Sequence, residues 1–284
     1  MKAAKDFRIH LERLGYSKTS VQMLPDCLKD FLEYINKPLP QIESQDILQY
    51  HEHLQERPNK KRPGGLSESY INHHIYSLKL FFGWQQEKGA ITENPISSLE
   101  FKAPESKPRE ILTQEEVKEL YQATEDLKEK AVLHIFYGCG LRRIEGEKLN
   151  LKDLHFRSNL LYVREGKNSK RRAVPMSEKV KEDLKAYALK ERLAKENEKA
   201  FITNRIGTRL CGYGLNKLFK ELVKRTQIEK EVSLHSLRHS IATHLLESKL
   251  PIEYVRDFLG HKHLESTQIY TRVKNKQLWN LNNT

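Results

Sequence analysis

The chain has 284 residues, 38% of them hydrophobic, enough for one large domain or two ordinary ones with cores of their own. Lys and Arg number 50 against 38 Asp and Glu, a net charge of +12 that points to a polyanionic partner, most often nucleic acid. Cys27, Cys139 and Cys211 have no paired spacing, no apolar run approaches a membrane span, and the N-terminal MKAAKDFRIHLERLG lacks a signal-peptide core; a disulfide frame, a zinc knuckle and membrane insertion are therefore excluded, and a cytoplasmic protein is expected.

Residues 1–96 read as helices. Val21, Leu24, Leu28, Phe31, Leu32 and Ile35 recur at helical spacing, as do Ile47, Tyr50 and Leu54 after a cap at Ser44. A third segment follows Ser67, with Ile71, Ile75, Leu78, Phe81 and Phe82 on one side. Between the last two lies RPNKKRPGG, whose prolines and paired glycines forbid regular structure. Its Lys60, Lys61 and Arg62 are candidate phosphate contacts, although a solvated basic loop has the same composition. This first part holds 14 basic and 14 acidic residues up to position 105, so the whole basic excess belongs to the remainder.

PISSLEFKAPESKP, at 95–108, has three prolines and little periodicity and reads as a domain boundary. The expected division is a helical domain over 1–96, a linker over 97–110 and a second domain over 111–284. That domain opens with Thr113 and Glu116 at capping-box spacing. A helix ends at Gly138-Cys139-Gly140 and another begins near Arg142. NLLYVR and RAVPM are short β-type runs joined by a turn, which predicts a small antiparallel sheet. Helices resume from Ser177, and the charged segment 180–199 reads as a solvated face. The fold class expected is mainly α with a small antiparallel β-sheet, in two domains.

The stretch Ser233–Tyr270 concentrates chemistry. His235 and Arg238 are three apart and share a helix face, while Leu237, Ile241 and Leu245 point to the core. His239 and His244 lie on the same segment, but the pattern lacks the Glu of HExxH and a clear third ligand, so no metal site is expected. Pro251 opens the next helix, and Gly260 closes it as a C-cap, which brings His261 out in a turn. Tyr270 follows. Two imidazoles, a guanidinium and a phenol suit a phosphodiester attacked by a tyrosine hydroxyl.

GLRRIE at 140–145, GKNSKRRAVP at 166–175, HSLRHSIATHLL at 235–246 and LGHKHLESTQIYTRV at 259–273 resemble the tyrosine recombinase (integrase) family, the Xer recombinases most of all. Taken position by position, the resemblance implies Arg142 and Arg238 as catalytic arginines, Lys167 as the catalytic lysine with Lys170 a weaker alternative, and His235 and His261 in the histidine positions. It implies Tyr270 as the nucleophile and Glu145 as the supporting acid. The family's second glycine after the lysine is Asn168 here, a residue that tolerates left-handed backbone. Lys170, Arg171 and Arg172 are expected on the DNA. The family layout is a helical core-binding domain followed by a mixed α/β catalytic domain, and its chemistry needs no metal or nucleotide cofactor. It implies a double-stranded DNA recombination site as partner. Four protomers would assemble there, of one kind or with a sister recombinase, through a Holliday junction, with an activating protein as a further partner. The apolar Leu278, Trp279 and Leu281 would dock on a neighbouring subunit or fold back on their own domain. Two other readings use the same residues: a type IB topoisomerase that relaxes DNA, and a non-catalytic DNA-binding accessory protein.

Overall fold

In the computed structural model, the described residues are 2–59, 63–102, 110–164 and 171–260. The chain divides into two compact units, Met1–Lys107 and Pro108–Thr284.

The first unit is four helices: α1 (Lys2–Arg13), α2 (Lys18–Ile35), α3 (Ser44–Glu56) and α4 (Glu68–Glu87). Helix α2 packs against both α1 and α4. The predicted apolar stripes meet in one core in which Leu28, Phe31, Ile47, Tyr50, Leu54, Leu78, Phe81 and Phe82 are completely buried. Ser17 and Ser67 cap α2 and α4 by accepting the backbone N–H three residues on. The cap expected at Ser44 belongs to Glu43, whose backbone N–H donates to Asp46 at 2.9 Å. Ser44 is the first helical residue, and its hydroxyl donates to the Pro95 carbonyl at 2.8 Å.

A polar cluster crosses this core. The Tyr50 hydroxyl donates to Asp30 at 3.1 Å, and Arg57 donates to the same carboxylate oxygen at 2.7 Å. With the phenol's one proton so used, the His74 Nδ1–H, 2.9 Å away, is the donor to Tyr50. Burial pulls the His74 pKa down to about 4, against the opposing attraction of Asp30. A folded pKa below the unfolded 6.5 means that acid favours the unfolded chain. Stability of this unit is therefore expected to be full above about pH 6.5 and to fall by about 3 kcal/mol towards pH 4. Urea denaturation of wild type and His74→Gln across that range checks it; parallel pH profiles for the two proteins would refute the assignment.

The second unit opens with α5 (Gln114–Gln122), capped reciprocally by Thr113 and Glu116. Helix α6 (Leu127–Leu133) runs on into a π-helical turn, His134–Gly138. After α7 (Arg143–Lys148) come β1 (Leu154–His155), β2 (Leu160–Val163) and β3 (Arg172–Pro175), an antiparallel sheet in the order β1-β2-β3. The chain closes its described part with α8 (Glu178–Lys190), α9 (Gly212–Val223), α10 (Leu234–Glu247) and α11 (Ile252–Leu259). The sequence left α9 unassigned, although Leu215, Phe219 and Leu222 are fully buried at helical spacing.

Helix α10 contributes Leu237 and Ile241, both fully buried, to a core shared with Phe136, Leu161, Leu184 and Phe219. Two tyrosine–histidine pairs hold the π turn in place. Tyr137 meets His244 Nδ1 of α10 at 2.9 Å. His134 bridges Tyr121 of α5 at 3.0 Å and Asp183 of α8 at 2.9 Å. Such widened turns are frequent beside functional sites, and this one leads directly to Gly140.

Candidate active site

The site begins at the end of the π turn. Gly140 has φ +58°, and a Cβ there would lie 2.9 Å from Leu259 Cδ2 and 3.1 Å from Phe258 Cε1, so only glycine lets the chain turn against α11. Arg142 follows as the N-cap residue of α7, and Glu145 is its third helical residue. The Glu145 carboxylate folds back to accept the Arg142 backbone N–H at 2.9 Å and the Arg142 guanidinium at 2.8 Å. Gly146 lets α7 sit close to the core, since a Cβ there would stand 2.5 Å from Phe136 Cζ.

Two further arginines converge on the same carboxylate. Arg172, the first residue of β3, grips it with a two-pronged fork at 2.9 and 2.8 Å. Arg238, on α10, lies 3.9 Å from it and donates to the carbonyls of Gly140 and Leu259. Arg142 also reaches the Gly260 carbonyl, at 3.3 Å. The last carbonyls of α11 thus find their partners in the arginine cluster rather than in solvent. Gly260 itself is a left-handed C-cap with φ +65°.

Among the described residues, three guanidiniums around one carboxylate sum to a net charge of +2. Burial alone would raise the Glu145 pKa, but hydrogen bonds from Arg172 and Arg142 outweigh it and hold the group down to about 2. Burial, then repulsion from Arg142 and Arg172, lowers the Arg238 pKa to about 9, which leaves it charged at neutral pH. The Arg238 and Arg172 side chains are 4% and 7% exposed, whereas Arg142 is 24% exposed. A buried, preorganised surplus of positive charge on forked donors is suited to an oxyanion, and most of all to one that gains charge during a reaction.

The structure brings together Arg142, Glu145 and Arg238 as their motifs suggested. His235 is exposed on the first turn of α10, three residues before Arg238. Arg171 is exposed. Arg172, expected with it on the DNA, is instead buried against Glu145. Its signal was present in the strand pattern: Arg172 pairs with Val163, and Val174 with Leu161, so the arginine ends an inward-facing row. Lys60, Lys61, Arg62, Lys167, Lys170, His261 and Tyr270 lie outside the described residues, as do Leu278, Trp279 and Leu281. Among the described residues, no group of three or more His, Cys, Asp or Glu side chains is arranged to hold a metal ion, and no helix is long and apolar enough to cross a membrane.

Residues 110–277 match the phage integrase family. A tyrosine recombinase of Thermosipho africanus is 31% identical over 277 residues, covering 96% of this chain and 94% of that protein. The tyrosine recombinase XerA of Pyrococcus horikoshii is 32% identical over 279 residues, with 96% and 90% covered. The tyrosine recombinase XerD of Oceanobacillus iheyensis is 35% identical over 222 residues, with 75% and 74% covered. Among solved structures, the Tn1549 transposon integrase in complex with circular intermediate DNA shares the fold with a TM-score of 0.74 at 20% identity, over 95% of this chain and 94% of that one. A lambda integrase dimer bound to a core site does so with a TM-score of 0.72 at 19% identity, over 92% and 94%.

Proposed function

Because the chain belongs to the phage integrase family and is a tyrosine-type site-specific recombinase, we propose that it cuts and rejoins double-stranded DNA through a covalent 3′-phosphotyrosyl intermediate carried by Tyr270. In that step the Tyr270 oxygen bonds to phosphorus while the bond from phosphorus to the 5′ oxygen breaks. A free 5′-hydroxyl is released, and a partner strand's hydroxyl later reverses the reaction. The phenol, with an ordinary pKa near 10, is a poor nucleophile at neutral pH and needs positive charge and a base beside it. His235 is assigned to that base. Arg142 and Arg238 hold the non-bridging oxygens of the five-coordinate transition state, with His261 as a further donor. Lys167 protonates the leaving 5′ oxygen. Because the phosphotyrosyl bond conserves the ester, this chemistry calls for no metal or nucleotide.

The observation that carries this reading is the convergence of Arg142 and Arg238, from distant parts of the sequence, on one buried carboxylate with charge to spare. The lambda and Tn1549 integrases in the comparison are bound to DNA, and this chain's basic surplus beyond residue 105 fits the same partner. Arg171, Lys170 and the 60–62 cluster are assigned to phosphate contacts that position the duplex. Exchange between two sites through a Holliday junction, by four protomers, completes the reading. It covers Xer-like resolution as well as integration or excision of a mobile element.

The test uses a duplex that the protein itself selects from a randomised pool, nicked near the scissile position to trap the intermediate. Wild type is expected to form a protein–DNA adduct on a denaturing gel, and Tyr270→Phe none. An adduct of equal yield with Tyr270→Phe would place the nucleophile elsewhere.

A further inference from the structure

Arg172 is the member of the cluster that the chemistry above leaves without a task. Its guanidinium spends two N–H groups on Glu145, in the first turn of α7. Its aliphatic stem lies against the end of α11, where a Cβ on Gly260 would stand 2.7 Å from Arg172 Cδ. Its backbone opens β3, in register with Val163 of β2. One side chain thus ties three separate segments. In sequence these are the segment that carries Arg142, the strand that follows Lys167, and the residue that precedes His261.

The sharing of Glu145 explains how the tie acts. Oε1 accepts from both Arg142 and Arg172, and Oε2 from the Arg142 backbone and Arg172. The carboxylate is held at both oxygens by β3, so the Arg142 guanidinium is oriented by a group that Arg172 fixes. Both prongs of the Arg172 fork are already occupied by Glu145, so this guanidinium meets the carboxylate rather than a phosphate.

We propose that Arg172 is a positioning residue for strand cleavage: its fork locks Glu145, and through it Arg142, and couples β3 to α7 and the end of α11. This rests on the phosphoryl-transfer reading above. The experiment measures DNA affinity, its salt dependence and the adduct-forming rate at saturating DNA, on the selected nicked duplex, for wild type, Arg172→Lys, Arg142→Lys and the double variant. Lysine keeps the charge and loses the fork. Arg172→Lys is expected to slow adduct formation about tenfold or more, while its affinity stays within about twofold and its salt slope is unchanged. Because the two arginines act through one carboxylate, the double variant is expected to lose less than the product of the single losses.

Wild-type cleavage by Arg172→Lys overturns the proposal. So does a weaker affinity with a salt slope reduced by about 0.9, the mark of a lost phosphate contact. Losses that multiply in the double variant would show that Arg172 acts apart from Arg142. Loss of a cooperative melting transition in Arg172→Lys would make it a residue of the fold alone. Failure of wild type to form an adduct falls on the underlying reading instead, and is seen in the same gel.

Discussion

Arg238→Ala is expected to slow adduct formation on the selected nicked duplex by about a thousandfold, while DNA affinity stays within about tenfold of wild type. The rate effect follows from where the charge sits. Loss of a single neutral donor from an oxyanion site costs about a hundredfold to a thousandfold, and Arg238 supplies a full positive charge at 4% exposure, where water screens little. The small affinity effect follows from number: duplex binding is spread over many phosphates, and one lost contact changes the salt slope by only about 0.9. The guanidinium also has a structural share, since it satisfies the Gly140 and Leu259 carbonyls. Leaving these buried acceptors bare is expected to cost about 1–3 kcal/mol each. Arg238→Lys therefore serves as the companion variant, one that keeps the charge and part of the hydrogen bonding. Single-turnover rates at saturating DNA, paired with melting curves, separate the two shares. An adduct rate within tenfold of wild type in a folded Arg238→Ala protein would remove Arg238 from the chemistry.

The elements legible in the sequence were those with local causes. Ser67 and Thr113 cap the helices they precede because a short polar side chain can satisfy an open N–H only at that point. Gly260 closes α11 because only a left-handed residue ends a helix that way. Arg142, Glu145 and Arg238 were found through motifs, and the cluster gathers all three. The sequence hid what depends on contacts between distant segments. Arg172 follows a basic turn, and its one local distinction from exposed Arg171 is that it begins the β-type run RAVPM. What separates them is the register with Val163, which turns one side chain inward, and a carboxylate from α7 waiting there. The π turn is equally non-local, since its anchors, Asp183 and His244, lie on α8 and α10. Ser44 shows the opposite error: a good capping residue sits one place inside the helix because Asp46 already serves the N–H of Glu43.

Glu145→Gln is expected to destabilise the protein by about 3 kcal/mol at neutral pH, and the deficit is expected to vanish in acid. The amide keeps the shape of the carboxylate but turns an N–H₂ donor towards guanidinium donors and removes the negative charge that three arginines share; breaking a buried pair in this way costs about 3–5 kcal/mol. The pH dependence tests whether the charge is the cause. The Glu145 pKa is held at about 2 in the folded protein against an ordinary 4.5, so its contribution is complete above about pH 4.5 and is lost as pH falls towards 2. That span corresponds to about 3 kcal/mol, in line with the cost expected from pairing. The unfolding free energies of wild type and Glu145→Gln should therefore run parallel from pH 7 to about 5 and converge below. Denaturant titrations followed by circular dichroism at several pH values give the difference directly. A gap that stays constant down to pH 2.5 would assign the loss to shape rather than charge. A gap that closes on schedule makes Glu145 the counter-charge that lets three arginines share one buried site, which is the condition for that site to meet an anion with two charges in reserve.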